Sequence, residues 1–171
     1  MGSGIQPVYA WIALGSNQGD RFQNLVDARF FLKSISEGEL ICSSIYETEP
    51  LGPASQPFLN AVVRIQTLDT PEQLLHRLKS FETKQGRDMM APRWSNRLID
   101  LDIIEMENVR INLDWLQIPH KEYPNRLFVL VPFSEIQPDW QHSISGKSLD
   151  ELMRTAPKGS IEKTVLSWKI N

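Results

Sequence analysis

The chain has 171 residues, 41% hydrophobic and 23% charged, proportions that exclude disorder and lead to the expectation of one globular domain over residues 1–171. Its 18 basic and 21 acidic residues give a net charge of −3, so no global field draws it to nucleic acid or an anionic membrane, and any polyanion site has to be local. Cys42 is the only cysteine, which excludes an internal disulfide, and with no signal-like start and no apolar run long enough to span a bilayer, a cytoplasmic location is expected.

Val8 to Gly15 is a short apolar run ended by Gly15-Ser16-Asn17 and reads as a buried strand entering a turn. A helix is predicted next, capped by Asp20, with Leu25, Ala28, Leu32 and Ile35 along one face and Gly38 just past its end. Glu39 to Thr48 alternates like a strand, with Cys42 packed in it. Glu49 to Pro57 holds three prolines and a glycine, and reads either as a shaped loop presenting backbone groups to a ligand or as a stiff connector. Phe58 to Leu68 is a predicted strand with Ala61, Val63 and Ile65 on one face and Phe58, Asn60, Val62 and Arg64 on the other. Thr70-Pro71-Glu72-Gln73 supplies an N-cap, a first-turn proline and a capping-box glutamine, so a helix starts there and Gly86 closes it. Leu75, Leu78, Glu82 and Gln85 share one face, on which Glu82 is either a polar member of a site or a solvated helix-end carboxylate.

The densest chemistry lies in Arg93-Trp94-Ser95-Asn96-Arg97-Leu98-Ile99-Asp100-Leu101-Asp102-Ile103-Ile104. In a strand Asp100 and Asp102 share one face, about 7 Å apart at Cα, while Leu101 and Ile103 face apolar surroundings. That repulsion favours a cation, and Mg²⁺ prefers carboxylate oxygens together with substrate phosphates. Arg93 and Arg97 stand ready for those phosphates. The plainer alternative is an acidic edge strand paired with nearby arginines. Val109 to Ile111 is a further short strand, Asn125 to Ile136 a helix interrupted by Pro132, Lys147 to Thr155 a short helix capped by Ser145 or Ser148, and Lys163 to Ile170 a terminal strand. The order strand, helix, strand, strand, helix, strand implies an α+β fold with a ferredoxin-like βαββαβ core, an antiparallel sheet with helices packed on its faces, and C-terminal additions.

Ala13-Leu14-Gly15-Ser16-Asn17, Tyr46-Glu47-Thr48-Glu49-Pro50-Leu51-Gly52, Phe58-Leu59-Asn60-Ala61, Gln85-Gly86-Arg87, Asp100-Leu101-Asp102-Ile103, Pro119-His120 and Asn125-Arg126-Leu127-Phe128-Val129-Leu130-Val131-Pro132 follow in an order that resembles the 6-hydroxymethyl-7,8-dihydropterin pyrophosphokinases of folate biosynthesis. The resemblance implies transfer of diphosphate from ATP, as co-substrate, to the pterin hydroxymethyl group, with release of AMP. It implies two Mg²⁺ ions on Asp100 and Asp102, and Arg87 and Arg97 beside them as catalytic residues. It places the pterin between Phe58 and Phe128, on Asn60, against Thr48, Glu49 and Leu51, with Trp94 closing over it. ATP would meet Arg97, Ile103, His120 and Arg126, and the segment Arg87 to Leu98 would shut out water. Met89 and Met90 stand where the family carries basic residues, Ser95-Asn96 where a small residue and proline are usual, Lys121 where an aromatic or proline is common, and Trp115 at an often basic position. Lys79 and Lys121 offset part of that charge. The alternative expectations are a catalytically weakened paralogue that binds pterin or acts on a related pterin, and an RNA-binding module, which the acidic pair argues against. A monomer working on small molecules, without nucleic acid or membrane, is the expectation for partners.

Overall fold

The first apolar run forms β1 (Val8–Ser16), about which the sheet is built. The computed structural model describes residues 4–50, 56–86 and 98–169. β1 lies between β4 (Phe58–Thr67) and β5 (Asp100–Met106), antiparallel to both, and it packs on both faces, which is why it reads as nearly continuous apolar sequence. From β4 the sheet continues to β3 (Tyr46–Thr48) and then β8 (Ile161–Lys163), with β2 (Ile41–Cys42) also paired to β4. The strand expected over Glu39 to Thr48 is therefore split. At the break Ser43 N donates to Val62 O and the Ser43 hydroxyl accepts from Val62 N, so a side chain stands in for a ladder group.

Helices cover both faces. α1 (Arg21–Ile35) and α2 (Pro71–Lys84) bring Leu25, Ala28, Leu32, Leu74 and Leu78 onto Ile12, Leu14, Ala61, Val63, Leu101 and Ile103. α3 (Leu127–Ile136) and α4 (Leu149–Thr155) bring Leu130, Phe133, Leu149 and Leu152 onto Trp11, Val62 and Ile104. The local end signals are used as read. Asp20 caps α1 by accepting from Gln23 N, Thr70 and Gln73 form a reciprocal capping box with Pro71 in the first turn, and Ser148 with Glu151 repeats the box on α4. Ser145 lies upstream of that cap.

Three expectations are corrected. The strand placed at Val109 to Ile111 is β6 (Ile111–Leu113), which forms a hairpin with β7 (Leu116–Ile118). The helix expected from Asn125 begins at Leu127, after a 3₁₀ turn at Tyr123–Asn125. The terminal strand lies earlier than Lys163 to Ile170, because Ile161, Glu162 and Lys163 pair with Thr48, Glu47 and Tyr46. Beyond it the chain is held by Thr164, whose N–H and hydroxyl both donate to Ile45 O, and by Trp168 Nε1, which donates to Ser43 O at 2.7 Å. Ile170 is outside the described residues, and no described helix is long and apolar enough to cross a membrane.

β5 carries an irregularity. Ile103 pairs with Ile12 but Glu105 pairs with Trp11, so Ile104 is an extra residue. This bulge brings Ile104 and Glu105 onto the α3 side together. Glu105 is fully buried, and Tyr123 Oη (2.7 Å), Trp140 Nε1 (3.3 Å), Ser143 N (3.4 Å) and Ser143 Oγ (3.0 Å) all donate to its carboxylate. Burial, and then the Glu105 charge, raise the Tyr123 hydroxyl far above its ordinary pKa.

Replacing Thr70 with Ala removes one half of the α2 box and is expected to lower unfolding free energy by about 1 kcal/mol, read from urea melts. A second expectation concerns Glu135 on α3, which accepts from Ser44 N, Ser44 Oγ and Tyr46 Oη. Burial would raise its pKa, but the bonds from Tyr46 and Ser44 outweigh it, so the folded value lies below the usual 4.5. A carboxylate depressed in the folded state stabilises above its unfolded pKa and loses that contribution as pH falls through the folded value. Glu135→Gln is expected to flatten the acid limb of stability against pH, and also the limb above pH 10 because Glu135 helps burial push the Tyr46 hydroxyl up to about 12, while leaving the neutral range parallel to that of the parent.

Candidate functional site

The register of β1 sets the floor of the site. Gly15 lies opposite Asn60 on β4 and opposite Asp100 on β5, and Ala13 lies opposite Val62 and Asp102. Directly paired residues project to the same side of a sheet, so Asn60, Asp100 and Asp102 share the face on which α3 packs further along. Position 15 has no side chain, and a Cβ there would lie 3.5 Å from Asn60 Oδ1 and 3.7 Å from Phe58 Cδ1. An amide and a carboxylate are thus separated by a strip of bare backbone.

On the β4 side, Asn60 is buried and its Nδ2 donates to Thr48 Oγ1 at 2.8 Å, while half-buried Phe58 pairs with Thr48 across the strands. Glu49 is exposed just beyond Thr48. Where the chain returns, Arg21 Nη1 donates to Pro57 O at 2.9 Å and pairs with Glu47 at 2.8 Å, and Asn17 Nδ2 donates to Gln56 O at 3.3 Å. Leu51 lies outside the described residues.

On the β5 side, Asp100 and Asp102 are half-buried and Leu101 between them is buried. α2 holds this stretch from behind. Glu82, fully buried, accepts from Leu101 N at 2.6 Å, so the reading of it as a solvated helix-end carboxylate is overturned. Lys79 Nζ donates to Leu101 O at 2.8 Å, Glu82 Oε1 at 3.0 Å and Asp102 Oδ1 at 3.4 Å. Burial would lower the Lys79 pKa, but Asp102, Asp100 and Glu82 outweigh it and raise it. Burial would likewise raise Asp102, but the Lys79 ammonium, followed by His120 and Arg126, keeps it below the ordinary carboxylate value.

His120 follows β7, where its N–H donates to Ile104 O at 2.9 Å and ties it to the β5 edge. Its Nδ1 accepts from Glu122 N at 3.1 Å, which leaves Nε2 to carry the proton of the neutral ring. Burial lowers its pKa, and Arg126 adds to that against the pull of Asp102, so the ring is neutral at physiological pH. Arg126 lies at the N-terminus of α3 with its guanidinium carbon 5.8 Å from the centroid of the half-buried Phe128 ring.

Thr48, Phe58 and Asn60 therefore form one group. Asp100, Asp102, Lys79, His120 and Arg126 form a second group on the other side of Gly15. Ile103 behaves differently: its side chain is buried in the core under α1 and α2, so only its backbone is left to meet a ligand. Trp115 is 60% exposed on the β6–β7 hairpin, and Lys121 is exposed. Arg87, Met89, Met90, Arg93, Trp94, Ser95, Asn96 and Arg97 lie outside the described residues. Among those described, no group of three or more His, Cys, Asp or Glu is placed to hold a metal. Two residues of the floor escape a reading based on charged side chains. They are Ala13 and Gly15, whose signal is smallness at alternate positions towards the end of β1.

A family model described as 7,8-dihydro-6-hydroxymethylpterin-pyrophosphokinase (HPPK) matches residues 11–138. A 2-amino-4-hydroxy-6-hydroxymethyldihydropteridine pyrophosphokinase of Haemophilus influenzae is 41% identical over 134 residues, 77% of this chain and 83% of that one. Its namesake from Pseudomonas aeruginosa is 36% identical over 161 residues, covering 93% of this chain and 97% of that one. In a crystal structure of Plasmodium falciparum HPPK-DHPS wild type with pterin and p-hydroxybenzoate, the likeness has a TM-score of 0.68 at 16% identity and covers 90% of this chain but 44% of that chain, so it speaks for the fold alone. With three quarters of its length inside the family model and two relatives above one third identity that cover 77% and 93% of it, this chain belongs to the 7,8-dihydro-6-hydroxymethylpterin-pyrophosphokinase family.

Proposed function

We propose that this chain transfers the terminal diphosphate of ATP to the hydroxymethyl oxygen of 6-hydroxymethyl-7,8-dihydropterin, giving the pterin diphosphate and AMP in folate biosynthesis. The observation that carries the reading is the flanking of Gly15 by Asn60 and Asp100, which supports placing the planar heterocycle beside Asn60 and the phosphates and metal beside Asp100, at one end of one sheet face. The family membership supports the same reaction. The strand and helix order from β1 to β5 supports a ferredoxin-like split unit within a single domain, with the elements after β5 as C-terminal additions. A monomer in the cytoplasm, without nucleic acid or membrane, completes the proposal.

The residues divide the work by chemistry. Phe58 and Phe128 offer ring faces for the pterin, and buried Asn60 supplies a donor and an acceptor in a plane held by Thr48. The backbone from Thr48 through Glu49 to Leu51 completes the recognition, and Trp94 covers it. The hydroxymethyl oxygen attacks the β-phosphorus, the bond from that phosphorus to the bridging oxygen breaks, and the bridging oxygen leaves with AMP. The hydroxyl proton is lost on the way. His120, whose neutral ring keeps an Nε2–H donor, and Arg126 bind triphosphate oxygens, with Arg87 and Arg97 as further clamps and the Ile103 backbone against the nucleotide.

Asp100 and Asp102 fit a hard divalent ion by their chemistry. Both are ionisable oxygen donors projecting to the same side, and the absence of a third such ligand among the described residues matches the way Mg²⁺ takes one or two carboxylates and completes its shell with phosphate and water. Two Mg²⁺ ions held there would neutralise charge on the transferring group. The protein's own part is to keep Asp102 ionised and the two carboxylates in register, which Lys79 and Glu82 do through Leu101.

Two experiments test this reading. Asp102→Ala is expected to lower pterin-dependent AMP formation at least about a hundredfold with the melting temperature little changed, and near-normal turnover would overturn the metal role. Gly15→Val is expected to keep the fold but to raise KM for the pterin about tenfold or more, because its side chain occupies the space beside Asn60 and Phe58. An unchanged KM would place the pterin elsewhere.

A further inference from the structure

Lys79 has an unusual position for a lysine beside a cation seat. Its three N–H donors have three acceptors, two of which, Glu82 Oε1 and Leu101 O, belong to the scaffold. The third and longest contact, 3.4 Å, is to Asp102 Oδ1. The Nζ is therefore held by two scaffold bonds, and giving up the Asp102 contact does not release it. A fixed positive charge then stands within contact distance of one of the two carboxylates proposed to hold Mg²⁺.

We propose that Lys79 is a built-in counter-ion that makes metal binding depend on the nucleotide. With no ATP bound, its charge offsets Asp102 and repels a divalent ion, so the seat has weak affinity for a free metal. When the triphosphate arrives, its negative charge offsets both cations, and the ion enters with the nucleotide while Lys79 stays in place as an additional attraction for the phosphates. Lys79 is a positioning residue in this scheme, since it acts through Asp102 and its field. The inference rests on the metal seat of the proposed function.

The test is direct binding of Mn²⁺, observed by electron paramagnetic resonance of the free ion, to the full-length protein without nucleotide and with α,β-methylene-ATP. Lys79→Gln removes the charge and keeps a hydrogen-bonding group. It is expected to bind Mn²⁺ without nucleotide on the order of tenfold more tightly than the parent, whereas Lys79→Arg, which keeps the charge, stays near the parent. The double variant Lys79→Gln/Glu82→Gln leaves no unpaired buried charge, and because it removes the Glu82 charge as well it is expected to show a smaller tightening of the same sign if the single variant fails to fold. Equal or weaker Mn²⁺ binding by the folded neutral variants, with α,β-methylene-ATP still promoting it in all proteins, overturns the role of Lys79 and leaves the seat standing. Absence of Mn²⁺ binding by every protein even with α,β-methylene-ATP overturns the seat itself and the inference with it.

Discussion

The backbone N–H and C=O of Leu101 are both taken by side chains of one helix, the N–H by Glu82 and the C=O by Lys79. β5 is the outer strand of the sheet on this side, and an edge strand has a row of backbone groups without a neighbouring strand. α2 serves that edge in place of a further strand. A little further along, Ile104 O receives the N–H of His120. The same edge thus fastens the helix that backs the acidic pair and the loop that carries the imidazole. A carboxylate as buried as Glu82 is unfavourable unless it is fully bonded, and its strong bond to Leu101 together with the ammonium of Lys79 meets that need.

The two sides of the sheet pack differently. Under α1 and α2 the buried centre is aliphatic and continuous, with Phe31 stacked on Phe81 at its margin. Under α3 and α4 it is richer in aromatics, with Trp11 4.5 Å from Trp140 and 5.9 Å from Phe133 between ring centroids, and the buried Glu105 draws in two segments of chain, at Tyr123 and at Trp140 to Ser143. One of those bonds ends on Tyr123, three residues from both His120 and Arg126. The carboxylate that organises the second core therefore also anchors the loop between two site residues, from the strand that holds Asp100 and Asp102.

What was legible in the sequence was mostly local or periodic. Asp20, Thr70 with Gln73, and Ser148 act within three residues, and each is used as a cap. The common side of Asp100 and Asp102 follows from a period of two, which holds until Ile104. There the bulge shifts the phase, which is why Glu105 gave no signal as a buried hub. Lys79 and Glu82 show only that they lie one turn apart on a helix, and their meeting with Leu101 depends on how α2 settles against β5. The terminal strand starts earlier than its sequence pattern suggests because Glu162 and Lys163 have little strand character of their own and pair through their backbone with β3. Leu51, Arg87, Trp94 and Arg97 were read through family likeness and stand outside the described residues.

Gly15 sets a conflict between durability and activity at a single position. A glycine inside a central strand, even near its end as here, weakens the fold, because it loses more backbone freedom on folding than any other residue and leaves nothing to pack. Its backbone does not require glycine, since its φ is not in the left-handed region, and the nearest atoms to an added methyl are at ordinary contact distance. Selection for thermal robustness alone would therefore replace it, with alanine as the easiest gain. Under the proposed placement of the pterin beside Asn60, Gly15 is where the sheet forgoes stability to keep room for it. A stabilised form of this protein has to find its improvements elsewhere in the sheet.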